Sequence, residues 1–203
     1  MKNSGQFLLA VAFSAIAFSA TAQKSSVSVG WGTSIPTGGG NFRNETSWVS
    51  PSVDWEYRLL PLVSLGVSAG LGLALEKAVT HDTVGGDTID GLSDRRLVTV
   101  PLMARLRLWP LGEREGLFRP FVSVGGGAQY ARFDITGDAI VSTGSGGVGA
   151  VLSAGAGVRC YPVKRNLFIE LSGDWRRAAN KFEIMDSRLQ QSVEIRLGVG
   201  FTL

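Results

Sequence analysis

The chain has 203 residues, room for one domain of ordinary size or one closed barrel, and its 44% hydrophobic content excludes a disordered chain. Only 18% of residues are charged and 27 are Gly, a balance that argues against a helical bundle. The net charge of +3 comes with 15 Arg but only five Lys and no basic run, while one Cys and one His leave no disulfide framework or zinc site.

Chain order begins with a leader. Lys2 supplies a short positive region, Phe7 to Phe18 is nearly uninterrupted apolar sequence, and Ala20-Thr21-Ala22 is a small-x-small cleavage site. Residues 1–22 are therefore predicted to be a cleaved signal peptide, with residues 23–203 as the mature domain. A retained anchor helix is the alternative, but the apolar core is short for one. No Cys follows the cleavage site, so no lipid is expected there.

After Lys24 the periodicity changes to two. Val27, Val29, Trp31, Thr33 and Ile35 alternate with Ser and Gly, and Val49 to Leu59 alternates with Ser50, Ser52, Asp54, Glu56 and Arg58. The same pattern recurs at 65–76, 98–108, 119–130, 148–159, 167–176 and 193–203. Alternation at this period means strands with one apolar face each, and the tally is eight. Short or Pro-marked turns at 60–62, 110–117 and 162–166 alternate with longer polar segments at 36–47, 78–94, 134–146 and 177–190, which are expected as loops. Long–short alternation is the signature of an up-and-down meander. Ten residues at ~3.3 Å rise and ~40° tilt climb about 25 Å, the height of a membrane apolar band. The expected fold is all-β: an eight-stranded antiparallel up-and-down transmembrane β-barrel.

A soluble barrel gives the same alternation, so the polar parity has to decide. Its mid-strand positions are mostly Gly and Ser, which suit a narrow interior better than a wetted surface. Its charges nearly balance: Asp54, Glu56, Glu76, Glu170, Asp174 and Glu194 stand against Arg58, Arg105, Arg107, Arg119, Arg159, Arg176 and Arg196. Balanced charges suit mutual pairing in a low-dielectric tube. The expected interior network comprises Arg58, Arg105, Arg107, Arg119, Arg159, Glu170, Asp174, Glu194 and Arg196, with Glu170 and Arg196 as candidate partners. Ordinary solvated charges are the alternative. Tyr57, Trp109, Phe118, Tyr161, Phe168 and Phe201 fall near the short turns, and Trp31, Trp48, Tyr130, Phe133 and Trp175 near the long segments. They are expected as two interfacial belts, although Trp109 counts onto the inward parity.

The leader, the alternating loops and the segments Val100-Pro-Leu-Met-Ala-Arg-Leu-Arg-Leu and Arg119-Pro-Phe-Val-Ser-Val-Gly-Gly-Gly resemble small Gram-negative outer-membrane barrels of the OmpA/OmpX type and the porin-like outer-membrane β-barrel group. The C-terminus, Arg196-Leu-Gly198-Val-Gly-Phe201-Thr-Leu203, resembles the assembly signal of such proteins, with Leu in place of the common final Phe. The resemblance covers the mature chain. It implies outer-membrane location, lipid as surroundings, the barrel-assembly machinery as a partner during insertion, and a monomer with no cofactor. It gives no extracellular ligand.

Three motifs are weighed for chemistry. Gly144-Ser-Gly-Gly-Val-Gly149 fits a dinucleotide pattern, but the following residues alternate as a strand where that motif needs a helix. His81 is the one histidine, and some eight-stranded outer-membrane barrels modify lipid A with a His, a Ser and a carboxylate. The Ser expected two residues after the His is Thr83 here, so a solvated histidine is the preferred reading. Asp82, Asp87, Asp90 and Asp94 near it are read as solvated rather than cation-binding. The functional expectation is a non-enzymatic barrel, structural or interaction-bearing, with a lipid A enzyme or a narrow pore as alternatives.

Overall fold

The structure is a computed structural model and describes residues 25–37, 46–84, 87–112, 117–137, 140–162, 166–180 and 190–203; at 76–84, 87–95, 135–137 and 140–145 it describes the backbone alone. The expected signal peptide lies outside the described residues.

Nine strand segments follow one another: β1 (Ser25–Pro36), β2 (Ser47–Leu60), β3 (Val63–Gly70), β4 (Gly72–Val84), β5 (Asp87–Leu108), β6 (Phe118–Gly137), β7 (Ile140–Cys160), β8 (Leu167–Ala179) and β9 (Gln190–Thr202). β3 and β4 lie end to end in one lane between β2 and β5, so the nine segments form eight strands. All pairings are antiparallel, and β1 pairs with both β2 and β9, which closes the sheet into a barrel. At the seam Val27 faces Phe201 and Gly30 faces Gly198, and the Leu203 N–H donates to the Ser25 carbonyl at 2.8 Å. Closure leaves no open edge in the wall, as a lipid environment demands of any spanning sheet.

The interruption between β3 and β4 has a local cause. Ala69 faces Leu102 and Gly72 faces Thr99, so Gly70 and Leu71 lie across from Pro101 and Val100. Proline has no N–H to offer the ladder. Leu71 donates instead to the carbonyl of Pro51 on β2, at 2.9 Å.

The two faces of the wall are inverted relative to a soluble protein. Val29, Val53, Val67, Leu102, Val124, Leu152, Leu171 and Leu197 are all exposed on the outside. Asp54, Glu56, Arg105, Arg107, Arg159, Glu170, Asp174, Glu194 and Arg196 are buried inside with a row of serines. Phe118 and Tyr130, twelve residues apart on β6, are exposed at either end of the apolar band. At ~3.3 Å rise and ~40° tilt they are about 30 Å apart in height. Trp48, Trp31 and Trp175 join Tyr130 at the long-segment end. Trp48 reaches the surface because the β1–β2 register shifts between Gly32 and Ser34, and it is 72% exposed.

Two expectations need correction. Residues 78–94 and 134–146 are largely strand rather than loop: β4 and β5 stay paired up to Val84↔Asp87, and β6 and β7 up to Gly137↔Ile140. Val79-Thr80, Thr83-Val84, Thr88-Ile89 and Ile140-Val141 favour strands by β-branching, and above the band no apolar face is needed to mark them. The belts are also thinner than expected, because Trp109, Phe168 and Phe133 point into the lumen and are buried.

A positive charge on the outer face should follow a depth profile. Val124→Arg, midway between the belts, should cost about 2–4 kcal/mol in urea unfolding from lipid vesicles, and Val148→Arg, level with Tyr130, about 1 kcal/mol or less.

Candidate functional site

Among the described residues the lumen is the most elaborate site, and it is built in layers from the short-turn end upward. The first layer is aromatic. Trp109 is inward because it continues the inward parity of Met103, Arg105 and Arg107 past the end of β5, and its Nε1–H donates to Ser64 Oγ at 2.7 Å. Its ring lies 5.2 Å from that of Phe121. Phe168 lies on the β8 side, 5.7 Å from the Tyr161 ring. Gly157 and Gly200 are bare because a Cβ on either would strike the Phe121 or the Phe168 ring. Small residues on the lumenal parity are here the seats of large ones on neighbouring strands.

Above this layer sits a tier of two arginines and two glutamates. Arg107 holds Glu170 with two bonds, Nη2 to Oε1 at 2.9 Å and Nη1 to Oε2 at 3.0 Å, and also donates from Nη1 to Glu56 Oε2 at 2.8 Å. Arg159 donates to the same Glu170 Oε2 from Nε at 3.0 Å and from Nη2 at 2.8 Å, and from Nη2 to Glu56 at 2.9 Å. The guanidiniums also meet the aromatic layer: Arg159 lies 3.9 Å from the Phe168 ring centre and 4.9 Å from Trp109, and Arg107 lies 4.6 Å from Phe121. Cations stacked on ring faces in a dry site gain from the ring quadrupole as well as from their carboxylates.

The next tier repeats the arrangement with shorter acids. Arg105 bridges Asp54 and Asp174. Arg196 bonds the other oxygen of each, at 3.4 Å to Asp54 and 2.6 Å to Asp174. Beside it Arg176 pairs with Glu194 at 2.5 Å, and Ser50 donates to Glu194 at 2.6 Å. Nε of Arg105, Arg176 and Arg196 and the Ser153 hydroxyl have no partner among the described residues, so the glutamate tier is the better satisfied of the two. Higher still the lining loses its charge, with Met103, Val151 and Ala178 in one apolar cluster, Ala131 and Phe133 with Ala74 and Leu97 in another, and buried Gln129 donating to Asn180 at 3.2 Å between them.

Of the expected network, the structure brings Arg107, Arg159 and Glu170 into one tier and Arg105, Arg196 and Asp174 into the next, with Glu194 alongside. Arg58 and Arg119 sit lower: Arg58 lies 5.5 Å from the Trp109 ring centre and Arg119 lies 4.6 Å from that of Tyr161. Glu170 and Arg196 do not pair; each takes partners from its own tier. Asp54, Glu56 and Arg176 complete the tiers, and parity alone marks all three as inward. At the C-terminus, Arg196 is lumenal, Gly198 faces Gly30 across the seam, and Phe201 and Leu203 are exposed outside. His81 lies on β4 opposite Asp90 on β5, beyond the last contact of β4 with β2; Asp82 faces Ile89, Asp87 faces Val84 and Asp94 faces Lys77.

No family model and no curated relative matches the sequence. Solved structures match in fold. Neisserial surface protein A superposes with a TM-score of 0.59 at 13% identity, over 88% of this chain and 97% of its own. Ail, the attachment invasion locus protein of Yersinia pestis, gives 0.52 at 15% identity, over 89% and 98%. The outer membrane protein OprG from Pseudomonas aeruginosa gives 0.51 at 11% identity, over 89% and 96%. At these identities the likeness is one of fold, that of the small outer-membrane β-barrels.

Glu170 pairs with both cations of its tier, and removing it leaves Arg107 and Arg159 with Glu56 alone. Glu170→Ala should lower the unfolding free energy by about 3–5 kcal/mol, measured by urea titration of the refolded barrel.

Proposed function

We propose that the chain is an integral outer-membrane barrel with a sealed lumen, non-enzymatic, whose work is done by the strands and loops raised at its long-segment end. The observation that carries this reading is the inversion of the wall, with leucine and valine exposed outside and paired Arg and Asp or Glu buried inside. Apolar side chains exposed around a whole barrel, between aromatic ends, suit lipid and not water. The surroundings are then outer-membrane lipid, with residues 1–22 as the export signal. In the same reading Arg196, Gly198, Phe201 and Leu203 form the signal read by the barrel-assembly machinery, and the finished barrel is a monomer. Nothing in the charge pattern suits a nucleic acid.

Sealing follows from the tiers. A solute entering from either end meets bidentate guanidinium–carboxylate contacts and an aromatic layer, and displacing them would strand buried charge. Planar-bilayer recordings of the refolded protein should therefore show no steady, well-resolved single-channel steps at moderate voltage; such steps would replace this reading with that of a pore. His81→Ala should leave the lipid A species of the host unchanged by mass spectrometry, and a changed profile would make the protein an enzyme.

A further inference from the structure

The outward face changes character above the aromatic belt at the long-segment end. From the short turns up to Tyr130 and Trp175, the described outward rows of all eight strands carry no charged side chain. Above that level the first described charges on these rows are Arg96 on β5, Arg132 and Asp134 on β6, and Arg177 on β8, and the three arginines are exposed. The opposite rim has no counterpart among the described residues: beside the short turns the outward positions are Leu59, Leu108, Phe118 and Phe201, all exposed. Cations therefore face one leaflet and not the other, at the height where acyl chains give way to headgroups.

Two of these arginines converge. Val98 lies opposite Arg132 and Arg96 opposite Asp134, so Arg96 is the diagonal neighbour of Arg132 on the same face. Diagonal neighbours on one face of an antiparallel pair are roughly 7–8 Å apart, a gap that two arginines can close onto one group. Asp134 holds Arg132 from the side, with Nε donating to both carboxylate oxygens at 3.0 and 3.2 Å. One carboxylate orients the pair of guanidiniums without cancelling its charge.

A third donor is turned toward them by a missing side chain. Gly146 on β7 lies opposite Arg132, and a Cβ there would stand 2.8 Å from the Tyr130 hydroxyl. The Tyr130 side chain therefore leans from its own rung with Val148 up to the rung of Arg132, where its hydroxyl rests on bare backbone. Below the three donors lie Leu75, Val100 and Val148, all exposed on the same outer face. Donors above and an apolar floor below match an amphiphile that stands upright in the leaflet.

We propose that Arg96, Arg132 and the Tyr130 hydroxyl bind a phosphate of lipid A, whose acyl chains lie over Leu75, Val100 and Val148. Guanidiniums take phosphate oxygens in pairs, and the phenol adds a donor to an oxygen they leave. The phosphorylated glycolipid is favoured over a glycerophospholipid by side, since the cations serve only the leaflet at the long-segment end. That leaflet is the outer one in the reading given above, on which this inference rests. Arg177 belongs to the same rim, but its rung partners are Leu152 and Gln191, so it stands apart from the cluster.

The test titrates the mature chain, refolded in detergent micelles, with defined lipids and counts bound lipid by native mass spectrometry. Lipid is added in vitro, so a failure to bind is distinct from a failure of outer-membrane location, which cell fractionation reads. The wild type should retain one diphosphoryl lipid A, and should bind its dephosphorylated form at least about tenfold more weakly, as for the loss of a charge-assisted hydrogen bond. Phosphatidylglycerol, whose diester carries a single charge, should also bind more weakly than lipid A. The double variant Arg96→Gln/Arg132→Gln should lose at least about tenfold and Tyr130→Phe about threefold, while Arg177→Gln should bind as the wild type does. Heat-modifiable gel mobility checks that each variant folds. If the double variant does not, Arg96→Gln alone serves, with an expected loss of about threefold or more. The proposal is overturned if the wild type retains no lipid A, if the dephosphorylated lipid or phosphatidylglycerol binds as tightly as lipid A, or if the cluster variants keep wild-type affinity. It is also overturned if Arg177→Gln loses as much as the double variant, because the rim would then act as diffuse charge and not as a site.

Discussion

Charge buried in a closed tube must be neutralised from within the tube, and the rest of this structure is arranged around that constraint. Each ion pair described in the tiers joins two different strands: β5 to β2 and β8, β7 to β2 and β8, β8 to β9, and β9 to β2 and β8. Glu194 finds Arg176 and Glu170 finds Arg159 within their own hairpins, but Asp54 and Glu56 on β2 take their cations from β5, β7 and β9, none of which shares a hairpin with β2. The network therefore comes to rest only when the wall has closed, and an open sheet would carry several uncompensated charges toward lipid. Closure and neutralisation are one event, and the serines between the charges fill the space that bulkier side chains would contest.

The layers also give the lumen a direction. At the short-turn end the arginines lie against aromatic faces and share two glutamates, which are long enough to reach across the tube. One step higher the acids are aspartates, the contacts to Asp54 lengthen to 3.4 Å, and several guanidinium Nε groups go unpartnered. Above that the lining is Met103, Val151 and Phe133, with the amides of Gln129, Asn180 and Gln190 hydrogen-bonded among them. The lower half is held by ionic contacts and the upper half by packing and neutral amide bonds.

Much of this architecture can be read from period-two alternation, because lipid outside and a dry lumen inside impose opposite chemistry on alternate residues. The inward side of Asp54, Glu56, Arg105, Arg107, Arg159, Glu170 and Asp174 follows from parity alone. Partner choice does not. Strands in a barrel are staggered, and the stagger decides that Arg196 meets Asp54 and Asp174 rather than Glu170. Parity also says nothing of how far a strand continues once it leaves the membrane, where both faces meet water; hence β4–β5 and β6–β7 run on where Gly, Asp and Ser suggest loops. Trp109 and Phe168 stand beside the short turns, as interfacial residues do, yet the rows they belong to face inward and Gly157 and Gly200 make room for such rings.

The interruption at Gly70–Leu71 has a mechanical consequence. A load applied at the long-segment tips of β4, β5, β6 and β7 meets unbroken ladders in the last three, down to the short-turn end. Tension in β4 is shared by its rungs with β5, from Gly72↔Thr99 upward, and by the chain itself, which continues through Leu71 into β3. Those rungs lie across the direction of pull and share it in shear, the geometry in which a strand pair resists longest. What passes Leu71 reaches β2 through the Leu71 N–H on the Pro51 carbonyl and the pairs from Ser52↔Gly70 downward. The gap across from Pro101 is thus a joint in the ladder alone, and both flanks of the lane take part in the tug.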